Sequence, residues 1–91
     1  MINFKQMELS QRLFDKLKTQ YPEIELVSIG ESPIYQDSIW VNIIMPEDEE
    51  RDILMSELAA EISTDMLTDY GYDIMISPAT RVANVPRIKN A

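Results

Sequence analysis

Apolar residues recur at helical spacing over the first twenty positions. Phe4, Met7, Phe14, Leu17 and Tyr21 form one stripe, with Leu9 and Leu13 alongside, while Lys5, Gln6, Arg12, Lys16 and Lys18 are left for solvent. The spacing predicts a helix over Phe4–Gln20. Pro22 stops it, because the residue before a proline is pushed out of the helical region. The period then changes. Ile24, Leu26, Val27 and Ile29 predict a strand that Gly30-Glu31-Ser32-Pro33 breaks, and residues 30–38 predict a hairpin loop. Ile39–Met45 is the strongest strand signal, closed by Pro46. A second helix is expected from Glu47 to Tyr70 on the stripe Leu54, Met55, Leu58, Ala59, Ile62, Met66 and Tyr70, with Gly71 placed for a left-handed stop. Tyr72–Ser77 predicts a third strand, ended by Pro78.

The order is therefore α-β-β-α-β. A strand–helix–strand unit crosses over right-handed and makes its two strands parallel. The expected fold is α+β, a two-layer sandwich with a three-stranded mixed sheet and two helices on one face. Residues 1–78 are read as one domain. Residues 79–91 have no clear period and are set apart as a basic C-terminal tail, either an edge strand over 80–85 or a segment that contacts a partner.

Alternation divides the strands into two apolar sets. Ile24, Leu26, Ile39, Val41, Ile43, Tyr72, Ile74 and Ile76 make the better core face. The other set, Val27, Ile29, Trp40, Ile44 and Met75, is interspersed with Glu25, Asn42 and Asp73. Two helices cover one face of so small a sheet. The second set would then leave more bare apolar surface than the few hundred Å2, roughly, that soluble monomers expose. These five residues are the expected dimer or partner interface, with Trp40 as its anchor, the alternative being that the C-terminal tail or the 30–38 loop folds over them as ordinary core.

Charge adds a second candidate surface. The 91 residues carry a net charge of −8. Both ends are basic, while residues 21–77 carry −13, with Arg51 alone against fourteen acids. Glu57, Glu61, Asp65 and Asp69 recur every fourth position of the second helix and form an acidic stripe. Like charges at that spacing cost roughly 0.2–0.5 kcal/mol per pair, so the stripe is either a solvated face whose cost helix packing outweighs or a surface met by something basic, the chain's own tail or a partner protein. Glu47-Asp48-Glu49-Glu50-Arg51-Asp52 imitates the start of a calcium loop. Ile53 stands where that loop needs glycine, and Ala59 where it needs glutamate. Acids in a first helical turn answer the dipole and the unpaired N–H groups, which accounts for the run without a metal.

The chain has neither cysteine nor histidine. Disulfides, thiol and imidazole nucleophile systems, and zinc sites built on those side chains are excluded. Two glycines cannot make a phosphate-binding loop. No catalytic, cofactor or metal residue is assigned. No apolar run is long enough for a membrane span, and Met1-Ile2-Asn3-Phe4-Lys5 lacks a secretory core, so a cytoplasmic protein is expected. The net charge disfavours direct nucleic-acid binding. The expected function is a non-catalytic interaction or regulatory module that self-associates or binds a protein partner through the Trp40 face. The alternative is an acidic inhibitor or nucleic-acid mimic that presents the stripe to a basic protein. A carboxylate-based enzyme is a distant third.

Overall fold

The computed structural model describes residues 1–80. The expected tail lies outside them, apart from Ala79 and Thr80. Helix α1 spans Phe4–Gln20, strand β1 Glu25–Glu31, strand β2 Ser38–Ile44, helix α2 Glu49–Tyr70 and strand β3 Asp73–Ala79. The sheet order is β1-β2-β3. Strand β2 pairs antiparallel with β1 and parallel with β3, so the sheet is mixed. The small α+β fold read from the pattern is the fold observed.

Local chemistry fixes the helix ends. Asn3 caps α1 reciprocally: its Oδ1 accepts from the Gln6 N–H at 2.7 Å, and its own N–H donates to Gln6 Oε1 at 2.9 Å. Asp48 caps α2 by accepting from the Arg51 N–H at 3.0 Å, and Glu49, Glu50 and Asp52 fill the first turn. Gly71 ends α2 at φ 79°, a backbone that side chains with a Cβ adopt at a cost. The loop between β1 and β2 is tied by Ser32, whose Oγ accepts from the N–H groups of Ile34 and Tyr35.

The core lies between the helices and one sheet face. Leu9, Leu13 and Leu17 of α1 and Met55 of α2 are fully buried, together with Ile24, Val41, Ile43 and Ile74; Ile39 is nearly so. Ile29, Leu58, Ile62, Tyr72 and Ile76 pack against this cluster. Two helix stripes differ from expectation. Phe4 is 86% exposed and Met7 points outward, because α1 turns Gln6, Leu9, Ser10 and Leu13 to the sheet. The shorter polar side chains still fit: Ser10 Oγ donates to the Gln6 carbonyl at 2.7 Å and is satisfied within its own helix. On α2, Leu54 and Tyr70 also lie outside the core. Tyr70 instead meets α1, where its hydroxyl is 3.3 Å from Arg12 Nη1 and Lys5 stands over its ring.

Strand β3 continues through Pro78, where the sequence predicts its end. Proline is tolerated there because β3 is an edge strand. Strand β1 carries a bulge between Leu26 and Ser28.

Leu13→Ala removes a fully buried side chain and is expected to lower unfolding free energy by about 2–5 kcal/mol. Phe4→Ala should stay within about 0.5 kcal/mol of wild type, since a solvent-facing side chain loses little. Urea denaturation of the pair tests the assignment of the α1 faces.

Candidate functional site

Register separates the two sheet faces. Residues opposite one another in adjacent strands share a face. Ser38, Trp40, Asn42 and Ile44 of β2 stand beside Asp73, Met75, Ser77 and Ala79 of β3, and opposite Gly30, Ser28 and Glu25 of β1. This is the face turned from the buried cluster. Trp40 and Met75 are direct neighbours on it, and Ile44 stands beside Ala79. Asn42 Nδ2 donates to Ser28 Oγ at 3.0 Å, and Ser38 Oγ donates to Asp73 Oδ2 at 2.5 Å.

Of the five residues expected on this face, the structure places Trp40, Ile44 and Met75 there, Trp40 beside Met75 and Ile44 beyond Asn42. Ile29 is not among them. The bulge at Val27 inserts one residue, so Ser28 rather than Val27 stands opposite Asn42, and Ile29 stands opposite Val41 and packs into the core. Val27 itself is 44% exposed at the bulge. The polar signal was present in the sequence: strict alternation would bury Ser28 and expose Ile29, and one inserted residue reverses both. Trp40 is partly covered, and its indole Nε1 is shielded from water with no acceptor among the described residues. Opposite it, Gly30 leaves open space where a side chain would stand.

The acidic stripe is exposed along its whole length, and none of Glu57, Glu61, Asp65 and Asp69 has an ion-pair partner among the described residues. Arg51, the helix's own cation, is engaged elsewhere. Its Nε donates to Glu23 Oε2 at 2.6 Å, and its Nη2 donates to Glu23 Oε1 at 3.0 Å and to the Gln20 carbonyl at 3.2 Å. The guanidinium also covers the Tyr21 ring, 4.8 Å from its centroid. Lys18 closes the same corner by donating to the carbonyls of Pro22 and Ile24. The hydrogen bonds from Arg51 hold the Glu23 carboxyl below its ordinary range, helped by a backbone hydrogen bond and opposed by partial burial.

A third feature had no sequence signal. A groove of about 410 Å3 runs between α2 and β3. Its helix wall is made of small residues, Ser56, Ala59, Ala60, Ser63 and Thr64, with Leu67 at one end. Met75, Ile76 and Pro78 form the strand wall, and Asp73 lies at the Leu67 end. Met75 and Ile76 point to opposite faces of the sheet, so a groove that both line follows the free edge of β3. Its lining is mainly apolar, and among the described residues Asp73 is the sole ionisable side chain in it. Among the described residues no group of three or more acids is placed to hold a metal ion. No helix among them is long and apolar enough to cross a membrane.

No family model matches the chain, and neither does any of the curated proteins or solved structures compared with it.

The corner at Glu23 gives a pH test. With the folded value lowered, the unfolded chain takes up more protons as pH falls below the ordinary carboxylate range. The stabilisation is complete above that range and is lost as pH falls through the lowered folded value. Arg51→Ala is expected to move Glu23 up towards its ordinary value and to reduce this part of the acid-side loss of stability. A carbon-detected NMR titration of the carboxyl, with unfolding curves across acid pH, measures both.

Proposed function

We propose that this chain is a non-catalytic interaction module that self-associates through the outer face of its sheet, with Trp40 at the centre of the contact. The observation that carries the reading is the outer face itself. Trp40 and Met75 are direct neighbours on β2 and β3, Ile44 lies on the same face beyond Asn42, and the helices that complete the core stand on the opposite side. Aromatic anchors flanked by aliphatic side chains are the usual centre of protein contacts.

Charge supports the same geometry. A chain with net charge −8 repels its own copies. Such copies meet most favourably through their least charged surface. On the outer face the acids are Glu25 and Asp73, and Asp73 already accepts a hydrogen bond from Ser38. The exposed acids of α2 are on the far side of the molecule. A face-to-face pair therefore keeps the two acidic helices apart, and the remaining long-range repulsion is screened by salt.

A second reading is favoured by the stripe. Four exposed carboxylates without ion-pair partners among the described residues suit a basic protein surface, as an inhibitor or nucleic-acid mimic would use them. The two readings respond to salt in opposite ways. Self-association through a neutral face tightens as repulsion is screened, whereas an acid–base contact weakens.

Analytical ultracentrifugation at high micromolar concentration is expected to show a dimer that strengthens from about 50 mM to about 500 mM salt. Trp40→Ser should return it to monomer, with a loss of about tenfold or more in dimer affinity, as for an interface anchor. Trp40 is the chain's one tryptophan, so dilution of the wild type should shift its fluorescence to the red as dimers separate. A strict monomer with emission unchanged by concentration sinks the self-association reading.

A further inference from the structure

Strand β3 is an edge, since β2 alone pairs with it among the described residues. An edge strand presents a row of N–H and C=O groups along its free side. The sequence of this edge is symmetric. Asp73-Ile74-Met75-Ile76-Ser77 reads isoleucine, methionine, isoleucine in both directions, with a short polar side chain at each end. Pro78 follows, and without an N–H it closes the segment fit for pairing. Such symmetry suits a contact between identical chains, because a two-fold interface sets residue i against j and j against i.

An antiparallel pairing centred on Met75 matches every position. Met75 meets Met75 of the second copy, Ile74 meets Ile76, and Asp73 meets Ser77. Residues opposite one another share a face. Asp73, Met75 and Ser77 lie on the outer face, so the carboxylate that already accepts from Ser38 Oγ at 2.5 Å gains a second hydroxyl donor at each end of the pairing. The two Asp73 carboxylates are kept about 13 Å apart along the strands, four residues at about 3.3 Å each, which exceeds the ~8–10 Å screening length of ordinary salt. An in-register parallel pairing would set Asp73 against Asp73. An antiparallel one centred on Ile76 would bring Pro78 into the ladder opposite Ile74, and one centred on Ile74 would set Asp73 against Met75. Charge and backbone therefore select the Met75-centred register.

The inner side of the same edge is apolar. Ile74 is fully buried, and Ile76 packs at the margin of the core. The groove between α2 and β3 begins beside Ile76, and its wall of Ala60, Ser63 and Thr64 leaves about 410 Å3. We propose that two copies of this chain pair along β3, antiparallel about Met75, joining their sheets edge to edge with the inward isoleucines of each copy at the groove of the other. This contact is separate from the outer-face contact through Trp40 and does not rest on it. It is also weak, because the paired segment is short and copies of net charge −8 repel.

The test is NMR on the full chain at about 1 mM, where a contact of millimolar affinity is populated. Half of the sample carries 13C-methyl isoleucine and half is unlabelled, so filtered spectra report contacts between copies alone. Cross-peaks between Ile74 and Ile76 are expected, with hydrogen exchange at 73–77 that slows as concentration rises. These isoleucines face the core side, which an outer-face dimer does not bring together. Ser77→Asp sets a carboxylate against Asp73 at both ends and should weaken the contact about tenfold; adding Asp73→Lys makes both pairs opposite in charge and should recover it. Ala60→Trp, at an exposed position, fills the groove and should abolish the cross-peaks. Trp40→Ser should leave them in place. Absence of the cross-peaks from the wild type overturns the proposal. So does protection of β3 amides that is independent of concentration, which assigns the edge to another part of the same chain. Cross-peaks that survive both Ser77→Asp and Ala60→Trp overturn it, as do cross-peaks that Trp40→Ser removes. A chain that sediments as a monomer at high micromolar concentration yet gives the cross-peaks at about 1 mM keeps the edge contact and removes the Trp40 reading.

Discussion

Strand β2 is paired along both edges, and the row Ile39, Val41 and Ile43 that it turns inward is dry. Keeping that row from water is the constraint on which the other elements depend. Helix α1 meets it with Leu9, Leu13 and Leu17, one leucine per turn of helix, all fully buried. Helix α2 closes the β3 side with Met55, Ala59 and Met66. Burial of one such side chain contributes about 1.5–3 kcal/mol, far more than any surface ion pair in the molecule. The helices therefore go where the β2 row needs cover, and the opposite face keeps what remains.

That division assigns roles to the polar features. Arg51 joins the start of α2 to the corner where α1 passes into β1, and its bidentate contact with Glu23 orients three elements at once. Its position there leaves the acid row further along α2 uncompensated. The small residues of the same helix have a similar double effect. They let α2 approach the sheet at Ala59 and leave a channel at Ala60 and Ser63. Both candidate surfaces on α2 follow from how this one helix is used to finish the core.

The element order and the sheet type were legible because they depend on period and on punctuation. Proline and glycine mark the ends, and the crossover rule supplies the parallel pair. Three things were not. Alternation assumes an unbroken strand, so the extra residue at Val27 reversed the faces of Ser28 and Ile29. Helical spacing defines a stripe but not its centre, so Phe4 and Met7 entered a predicted core that Gln6 and Ser10 occupy by bonding within their own helix end. The groove depends on the separation of two elements, which no spacing along the chain encodes. Trp40, Ile44 and Met75 were legible as a surface because they lie on β2 and β3, where the alternation is regular.

The two sides of this sheet are unequal in a way that bears on how large an assembly can become. Along β1 the bulge distorts the strand, and exposed Glu25 and Glu31 stand at its ends. Such an edge is a poor template for another chain. Along β3, among the described residues, the edge is unpaired for a few residues before Pro78, which has no N–H to donate. Endless growth of a sheet needs two compatible edges, one to receive and one to offer, repeated head to tail. Here the two edges are unequal in that respect. The inserted residue that turns Ile29 into the core thus also makes β1 the poorer template for such head-to-tail growth.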